Sequence, residues 1–372
     1  MKIALLTDAI FPNVIGGIQK HSYLLVKYFI KQNCNVDVYH SKINNDIDLV
    51  NYFTEIELSK INFIDCKYPS SYKFPGHYIY TSYKLSKLYY RILIGKDYNL
   101  IYAQGFTSWF TLKKEPFKSN LVTNLHGLEM FQHKINFKEF LKHNLLKIPA
   151  NYIIKKSIKQ ISLGGKLTDI LKNQSPKKGS IIEIPNAIEQ DWLVDKVVNT
   201  NSKKFKFIFI GRYERRKGVE ELTKVLKELI HTHNFEFHFV GPIPDSKKII
   251  NKNVIYHGLI TDQKKIKSIL MNIDILVCPS YSEGMPTVIL EAMARGCAII
   301  ATNVGANCTM IGNGNGWLID GDIKSGLKSS LVEALSLHRD KLLNMKKESV
   351  NIVSKNFMWE KVIEKTINEI LI

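Results

Sequence analysis

Cysteine is scarce in this sequence, and paired cysteine is missing. The five present, Cys34, Cys66, Cys278, Cys297 and Cys308, are odd in number, widely spaced and form no CxxC. That argues against a disulfide framework or a zinc site and leaves buried thiols as the expectation. Long apolar runs are missing too. None approaches the roughly 18 residues of a membrane-spanning helix. The opening MKIALLTDAI carries Asp8 where a secretory leader needs an unbroken apolar core, so the expected location is the cytoplasm. Acidic residues are outnumbered by basic ones, 34 against 52. The net charge of +18 asks for an anionic partner: nucleic acid, a phosphorylated substrate or an acidic membrane surface. Half of that excess is local, because residues 134–178 set eleven lysines against Glu139 and Asp169, a net +9.

What the sequence has in quantity is alternation. Its 372 residues exceed the roughly 250–300 at which one hydrophobic core stops growing, so two domains are expected. Short β-branched runs separated by helix-length segments mark βα units around a parallel sheet. The first series is Ile3 to Thr7, Val36 to His40, Ile61 to Asp65, Leu100 to Ala103, Leu121 to Leu125 and Ile161 to Leu163. The pattern restarts at KFIFIG and runs through FHFVG, VIYHG, DILVCPS, CAIIATNVG and GWLID. Two Rossmann-like domains follow, with the polar VNTNSKK as a linker and a cleft expected between the halves. The closing FMWEKVIEKTINEI has helical spacing and no strand after it, which suits a helix crossing back to the first domain.

Both opening strands run into glycine. Gly16 and Gly17 precede an amphipathic helix whose free N–H groups suit an anion, although a glycine pair before a helix is more often only a turn. In GRYERRKGVEEL, Arg212 and Lys217 bracket a loop after Gly211, where two cations and a helix N-terminus suit a diphosphate. A Walker A loop is excluded, since Arg216 stands where its second glycine would be. Asp46 with Asp48 and Asp320 with Asp322 form DxD pairs, but acidic turn residues are far commoner than metal sites and no metal is assigned.

SYSEGMPTVILEAMARG holds Glu283 in a loop of Gly284 and Pro286, and Glu291 about one turn into a helix that starts at Pro286 and Thr287 and stops at Gly296. Surface pairing of Glu291 with Arg295, and simple solvation of Glu283, are the plain alternatives. The near-continuous DILVCPS before the loop sets Glu283 at the carboxyl end of a buried strand, which favours function.

CPSYSEGMPTVILEAMARGCAIIATNVG resembles the signature region of glycosyltransferase family 4, retaining enzymes of GT-B fold that use nucleotide sugars. The glutamates match its E-x7-E motif and GRYERRKG its G-R-x4-K-G element. The Gly16–Gly17 pair, TNLHGLEM, IPNAIE and the terminal FMW helix have counterparts too, so the similarity spans nearly the whole chain. The resemblance implies an acceptor-binding domain over residues 1–190, joined by a C-terminal helix over 356–372, and a nucleotide-sugar domain over 203–355.

It also implies roles. Glu291 would accept hydrogen bonds from the ribose, Arg212 and Lys217 would neutralise the diphosphate beside Gly211, and the amide of Gly17, next to Gly16, would reach it from the first domain. Glu283 would hold a hydroxyl of the donor sugar, with the amides of Gly284, Met285, Pro286 and Thr287 as its surroundings, Pro286 itself having no N–H. His126 would stand at the reacting face. No cofactor or metal is required in this picture, since fixed cations serve the leaving group. The chain departs from the family at Gly305 to Thr309, which lacks the usual acidic residue, and at Ala187, where a glycine is usual.

The expected activity is therefore transfer of a sugar from a UDP-sugar to a saccharide or lipid-linked saccharide of a surface polymer. A nucleotide-sugar 2-epimerase of the same architecture is the alternative, and a basic nucleic-acid-binding protein leaves the glutamate spacing unexplained. Residues 68–102 hold nine of the seventeen tyrosines, in the half where an acceptor is expected. In FKEFLKHNLLKIPANYIIKKSIKQ, Phe137, Phe140, Leu141 and Leu145 share one helical side. They serve either as a face packed on the domain or, with the lysines of 134–178, as a peripheral contact with an anionic membrane.

Overall fold

Among the described residues, thirteen short runs, most of them apolar, become parallel strands because each is bounded by turn residues and followed, in most cases, by a helix that covers it. The computed structural model describes residues 1–42, 49–67, 74, 76–113, 120–175, 181–197 and 204–371. They fall into two units, one of residues 1–132, 136–186 and 360–372, the other of 133–135 and 187–359.

The first unit is built on β1 (Lys2–Leu6), β2 (Asn35–Lys42), β3 (Ile61–Lys67), β4 (Leu100–Gln104), β5 (Leu121–Asn124), β6 (Lys159–Ser162) and β7 (Ile181–Glu183), in the order β3-β2-β1-β4-β5-β6-β7. Ile3 pairs with Val36 on one side and Leu100 on the other, both in parallel. Ile3 to Leu6 are all fully buried, as a strand covered on both faces requires. Its helices are α1 (Gly17–Lys31), α2 (Glu55–Leu58), α3 (His77–Leu93), α4 (Phe137–Lys156) and α5 (Lys166–Gln174). Strand β7 was not among the sequence expectations, being a three-residue edge strand held by β6 alone.

The second unit has β8 (Phe205–Ile210), β9 (Phe235–Val240), β10 (Val254–Tyr256), β11 (Ile275–Cys278), β12 (Ala298–Thr302) and β13 (Gly316–Ile319), in the order β10-β9-β8-β11-β12-β13. Its helices are α6 (Val219–Leu229), α7 (Gln263–Met271), α8 (Thr287–Ala294), α9 (Asn307–Met310), α10 (Ile323–Leu335) and α11 (Arg339–Asn356). Phe207, Phe237 and Phe239 stack through its core, with ring centroids 6.3 and 4.8 Å apart. In each unit the strand order reverses beside the first strand, between β1 and β4 and between β8 and β11. The carboxyl ends there are the positions where open α/β sheets bind ligands.

The last helix, α12 (Trp359–Leu371), joins the first unit from Glu360 onward. Tyr28 Oη donates to Glu360 at 3.2 Å and Lys159 Nζ to the Ile370 carbonyl at 2.7 Å. The boundaries differ from the expected 190 and 356. Ile188 bridges Met358, with Ile188 N donating to Phe357 O at 2.9 Å and Trp359 N to Ile188 O at 3.1 Å. Backbone pairing therefore keeps 187–190 and 356–359 with the second unit. The linker expected at VNTNSKK lies outside the described residues except for Lys204.

Four of the five cysteines are buried as expected, whereas Cys308 is exposed. Among the described residues no helix is long and apolar enough to cross a membrane.

The apolar side of α4 departs from the plain expectation. Phe137, Phe140, Leu141 and Leu145 are exposed, Phe137 by 74%. The helix packs instead through His143, Pro149, Ala150, Ile153 and Ile154. The tyrosines divide: Tyr89, Tyr98 and Tyr102 are core, Tyr78 and Tyr80 are exposed, and Tyr68 and Tyr72 lie outside the described residues.

Candidate active site

In the second unit, β8 runs into Gly211 and Arg212, a single 3-10 turn over Arg215–Lys217, and then α6. Gly218 links turn and helix at φ +67, and a Cβ there would sit 1.9 Å from the Pro279 carbonyl oxygen. Only glycine lets the β8 loop come this close to the end of β11. The β12 loop closes in likewise: Gly305, at φ +56, would place a Cβ 2.2 Å from Gly284 O, and Ala306 N donates to that oxygen at 2.8 Å. The departure at Gly305 to Thr309 thus leaves the close approach intact.

This closure buries Glu283, which is 6% exposed. Its Oε1 accepts from Lys217 Nζ at 2.6 Å and Ser280 Oγ at 2.7 Å, and its Oε2 from Arg216 Nη1 at 3.4 Å. Arg216 also reaches Glu214 Oε2 at 3.4 Å, and Arg212 Nε lies 3.1 Å from Glu214 Oε1 with its side chain 71% exposed. Arg212, Arg216 and Lys217 are thereby held by two glutamates at the mouth of β8 and β11. Lys217 and Glu283, expected to serve the diphosphate and the donor sugar, form one ion pair here. Arg216 and Ser280 went unrecognised in the sequence: the partner of Arg216 lies 67 positions away, whereas Ser280 stands only three residues before Glu283 and was readable as a local partner.

Pro286 precedes the first turn of α8, so Gly284, the buried Met285, Pro286 and Thr287 lead into a helix whose first N–H groups have no intrahelical acceptor. Glu291 is half-buried, five residues into α8. Arg295 is turned to the Trp192 carbonyl at 3.3 Å. The DxD residues 320 and 322 are turn and cap groups: Asp320 accepts from Asn303 at 3.0 Å, and Asp322 caps α10 by accepting from Ser325 N at 2.8 Å. Asp46 and Asp48 lie outside the described residues. Among the described residues no three metal-ligating side chains cluster.

In the first unit, Gly16 caps α1 with extended backbone and Gly17 is its first residue. At the end of β5 the chain turns through His126 and Leu128, both in the left-handed region at φ 59 and 49. Such positions cost non-glycine residues of order 1–3 kcal/mol each and cluster at functional sites. Asn124 Oδ1 anchors the turn by accepting from His126 N at 2.9 Å.

His126 Nε2 lies 2.8 Å from Gln104 Oε1. The Gln104 amide and the His126 ring thus share one hydrogen bond, which fixes the ring's orientation. The rings of His21 and His126 meet edge to face, centroids 5.1 Å apart. Burial, and next the His21 ring, holds His126 well below the usual histidine range. Burial brings His21 to about 4, opposed by its hydrogen bond with Gln104. The site therefore presents a neutral imidazole. His21 and Gln104 were missed, although a glutamine ending the buried strand LIYAQ is a readable signal.

The model of the family described as Glycosyl transferases group 1 matches residues 190–352. An uncharacterized glycosyltransferase of Methanocaldococcus jannaschii, MJ1178, is 26% identical over 96% of this chain and 95% of its own. The capsular polysaccharide biosynthesis glycosyltransferase CapM of Staphylococcus aureus is 26% identical over 48% of each chain. The crystal structure of Anabaena Alr3699/HepE in complex with UDP and glucose superposes with a TM-score of 0.66 at 15% identity, covering 99% of both chains. The fold is GT-B. At the coarser level of activity, these findings support a glycosyltransferase, with relatives in polysaccharide biosynthesis.

The histidine pair sets a pH dependence. Folded pKa values below the unfolded 6.5 mean that the unfolded chain binds more protons in between. Their contribution to stability is present above 6.5 and is lost as pH falls toward about 4. Urea midpoints of the first unit's transition are expected to fall over that range, and less steeply in His21→Asn. Equal slopes in both proteins would contradict the assignment.

Proposed function

We propose that this chain is a retaining glycosyltransferase that moves a sugar from a nucleotide donor, a UDP-sugar, to a saccharide or lipid-linked saccharide acceptor of a cell-surface polysaccharide. The observation that carries the proposal is the cationic mouth of β8 and β11, where Glu283 fixes Lys217 and Arg216 beside the N-terminus of α8. A nucleoside diphosphate leaving group gathers negative charge on its β-phosphate, and prearranged cations and helix amides stabilise that charge without reorganising. The likeness to a UDP-binding structure and to a capsular glycosyltransferase supports the donor class and the product class.

In this reading Arg212 and Lys217 take the diphosphate beside Gly211, and Glu291 takes the ribose hydroxyls from the first turns of α8. Glu283 serves chiefly through Lys217. Its carboxylate already accepts from three donors, which disfavours a covalent glycosyl intermediate on it. Retention then proceeds on one face. The acceptor oxygen bonds to the anomeric carbon as the bond from that carbon to the diphosphate breaks, and the acceptor proton passes to a phosphate oxygen. His126, neutral, is suited to hydrogen bonding with a sugar hydroxyl and not to supplying a positive charge. No resident metal or other cofactor is needed for these steps.

We further propose peripheral contact with an anionic membrane through residues 134–178, supported by the exposed Phe137, Phe140 and Leu141 among lysines. At low salt the protein is expected to float with anionic liposomes and to be released by high salt. Protein remaining wholly in the soluble fraction would contradict the contact.

The donor assignment is tested by turnover of the nucleotide sugar that most raises the melting temperature among UDP, GDP and ADP sugars, the expected one being a UDP-sugar. Arg212→Ala and Lys217→Ala are each expected to lower its turnover about a hundredfold or more. Near-normal rates in both would overturn the diphosphate assignment.

A further inference from the structure

The first unit contains a cavity of about 880 Å³, within the roughly 300–1,000 Å³ range that holds a medium-sized organic ligand. It opens where the sheet order reverses. Ile18 lines it just after the glycine pair, Gly105 and Phe106 just after β4, and Leu125, Gly127 and Leu128 on either side of His126. Leu145, on the exposed side of α4, lines it too. Two cations one helical turn apart on α4, Lys138 and Lys142, stand at the same wall, with Glu129 as the opposing acid.

We infer that this cavity takes the lipid end of a phosphorylated lipid acceptor, its apolar chain inside and its phosphate on Lys138 and Lys142. This rests on the acceptor reading above and narrows it. The wall is mainly apolar: besides the two lysines its hydrogen-bonding side chains are His77, Tyr78 and Glu129, so a bare saccharide would leave most of its hydroxyls against leucine, isoleucine, methionine and phenylalanine, which is costly. An uncharged chain would leave the two ammonium groups without a role, whereas lysine is a standard point-charge partner of phosphate. The neighbouring His126 turn places such a ligand beside the residue assigned to the sugar.

The test is titration of the full chain by calorimetry with farnesyl diphosphate below its aggregation limit, with farnesol and inorganic diphosphate as partial ligands and UDP in parallel. Saturable binding of farnesyl diphosphate is expected, with farnesol weaker and no competition from inorganic diphosphate at equal concentration. Lys138→Ala/Lys142→Ala and Leu145→Asp change exposed positions, so both variants are expected to fold and to bind UDP as the wild type does. Each should bind farnesyl diphosphate at least tenfold more weakly. Undiminished binding in both variants, equal competition by inorganic diphosphate, or binding only to probe held in vesicles would overturn the inference. Binding of farnesyl diphosphate by a protein that takes up no nucleotide would uphold the cavity and sink the donor reading.

Discussion

A carboxylate buried at the end of a central strand must find cations, and much of the second unit's active end follows from how Glu283 finds them. Lys217 and Arg216 come from the loop after β8 and bind it to the loop after β11, where Ser280 fixes the carboxylate locally. Removing one member of a buried pair typically costs about 3–5 kcal/mol, because the remaining charge is left uncompensated. The pairing therefore constrains sequence elsewhere. Gly218 must lack a side chain to let the β8 loop approach Pro279, and Gly305 must lack one to let the β12 loop approach Gly284. A cation held in this way needs no rearrangement when a leaving group becomes negative.

The first unit solves a different problem with different chemistry. Its strand ends carry a neutral histidine pair and an apolar cavity, with Lys138 and Lys142 of α4 at the cavity wall. Burial keeps His126 and His21 uncharged, and the strained turn at 126–128 is anchored by the side chain of Asn124. Such a surface suits orienting hydroxyls and an apolar chain. The cationic surface of the second unit suits phosphate. Apart from the extra edge strand β7, the two sheets share one strand order, and the chemistry differs through the residues at their carboxyl ends.

Much of this was legible in the sequence. Buried parallel strands such as Ile275–Cys278 and Ala298–Thr302 are near-continuous apolar runs, and the helix after Pro286 had both its start and its stop written in proline and glycine. The resemblance to the family's motifs also singled out Arg212, Lys217, Glu283 and Glu291, of which Lys217 and Glu283 meet in an ion pair. The partners were not readable, because Lys217 and Glu283 lie 66 positions apart and no local period reports such a contact. Nor does periodicity say which side of a helix packs. α4 has an apolar side at Phe137, Phe140, Leu141 and Leu145, yet it docks through His143 and Ala150, and Pro149 lies within the helix. Strand β7 and the boundary at Ile188 depend on backbone pairing, which a short segment does not announce.

The central claim is that Glu283 acts through Lys217, and a double-mutant cycle on donor turnover tests it most directly. Lys217→Ala, Glu283→Gln and the double variant are compared with the wild type, each checked for folding. If the glutamate works by holding the lysine, the double variant turns over about as slowly as Lys217→Ala alone, because the second change removes nothing further. Losses that simply multiply would show that the two residues serve the donor independently and would contradict the account.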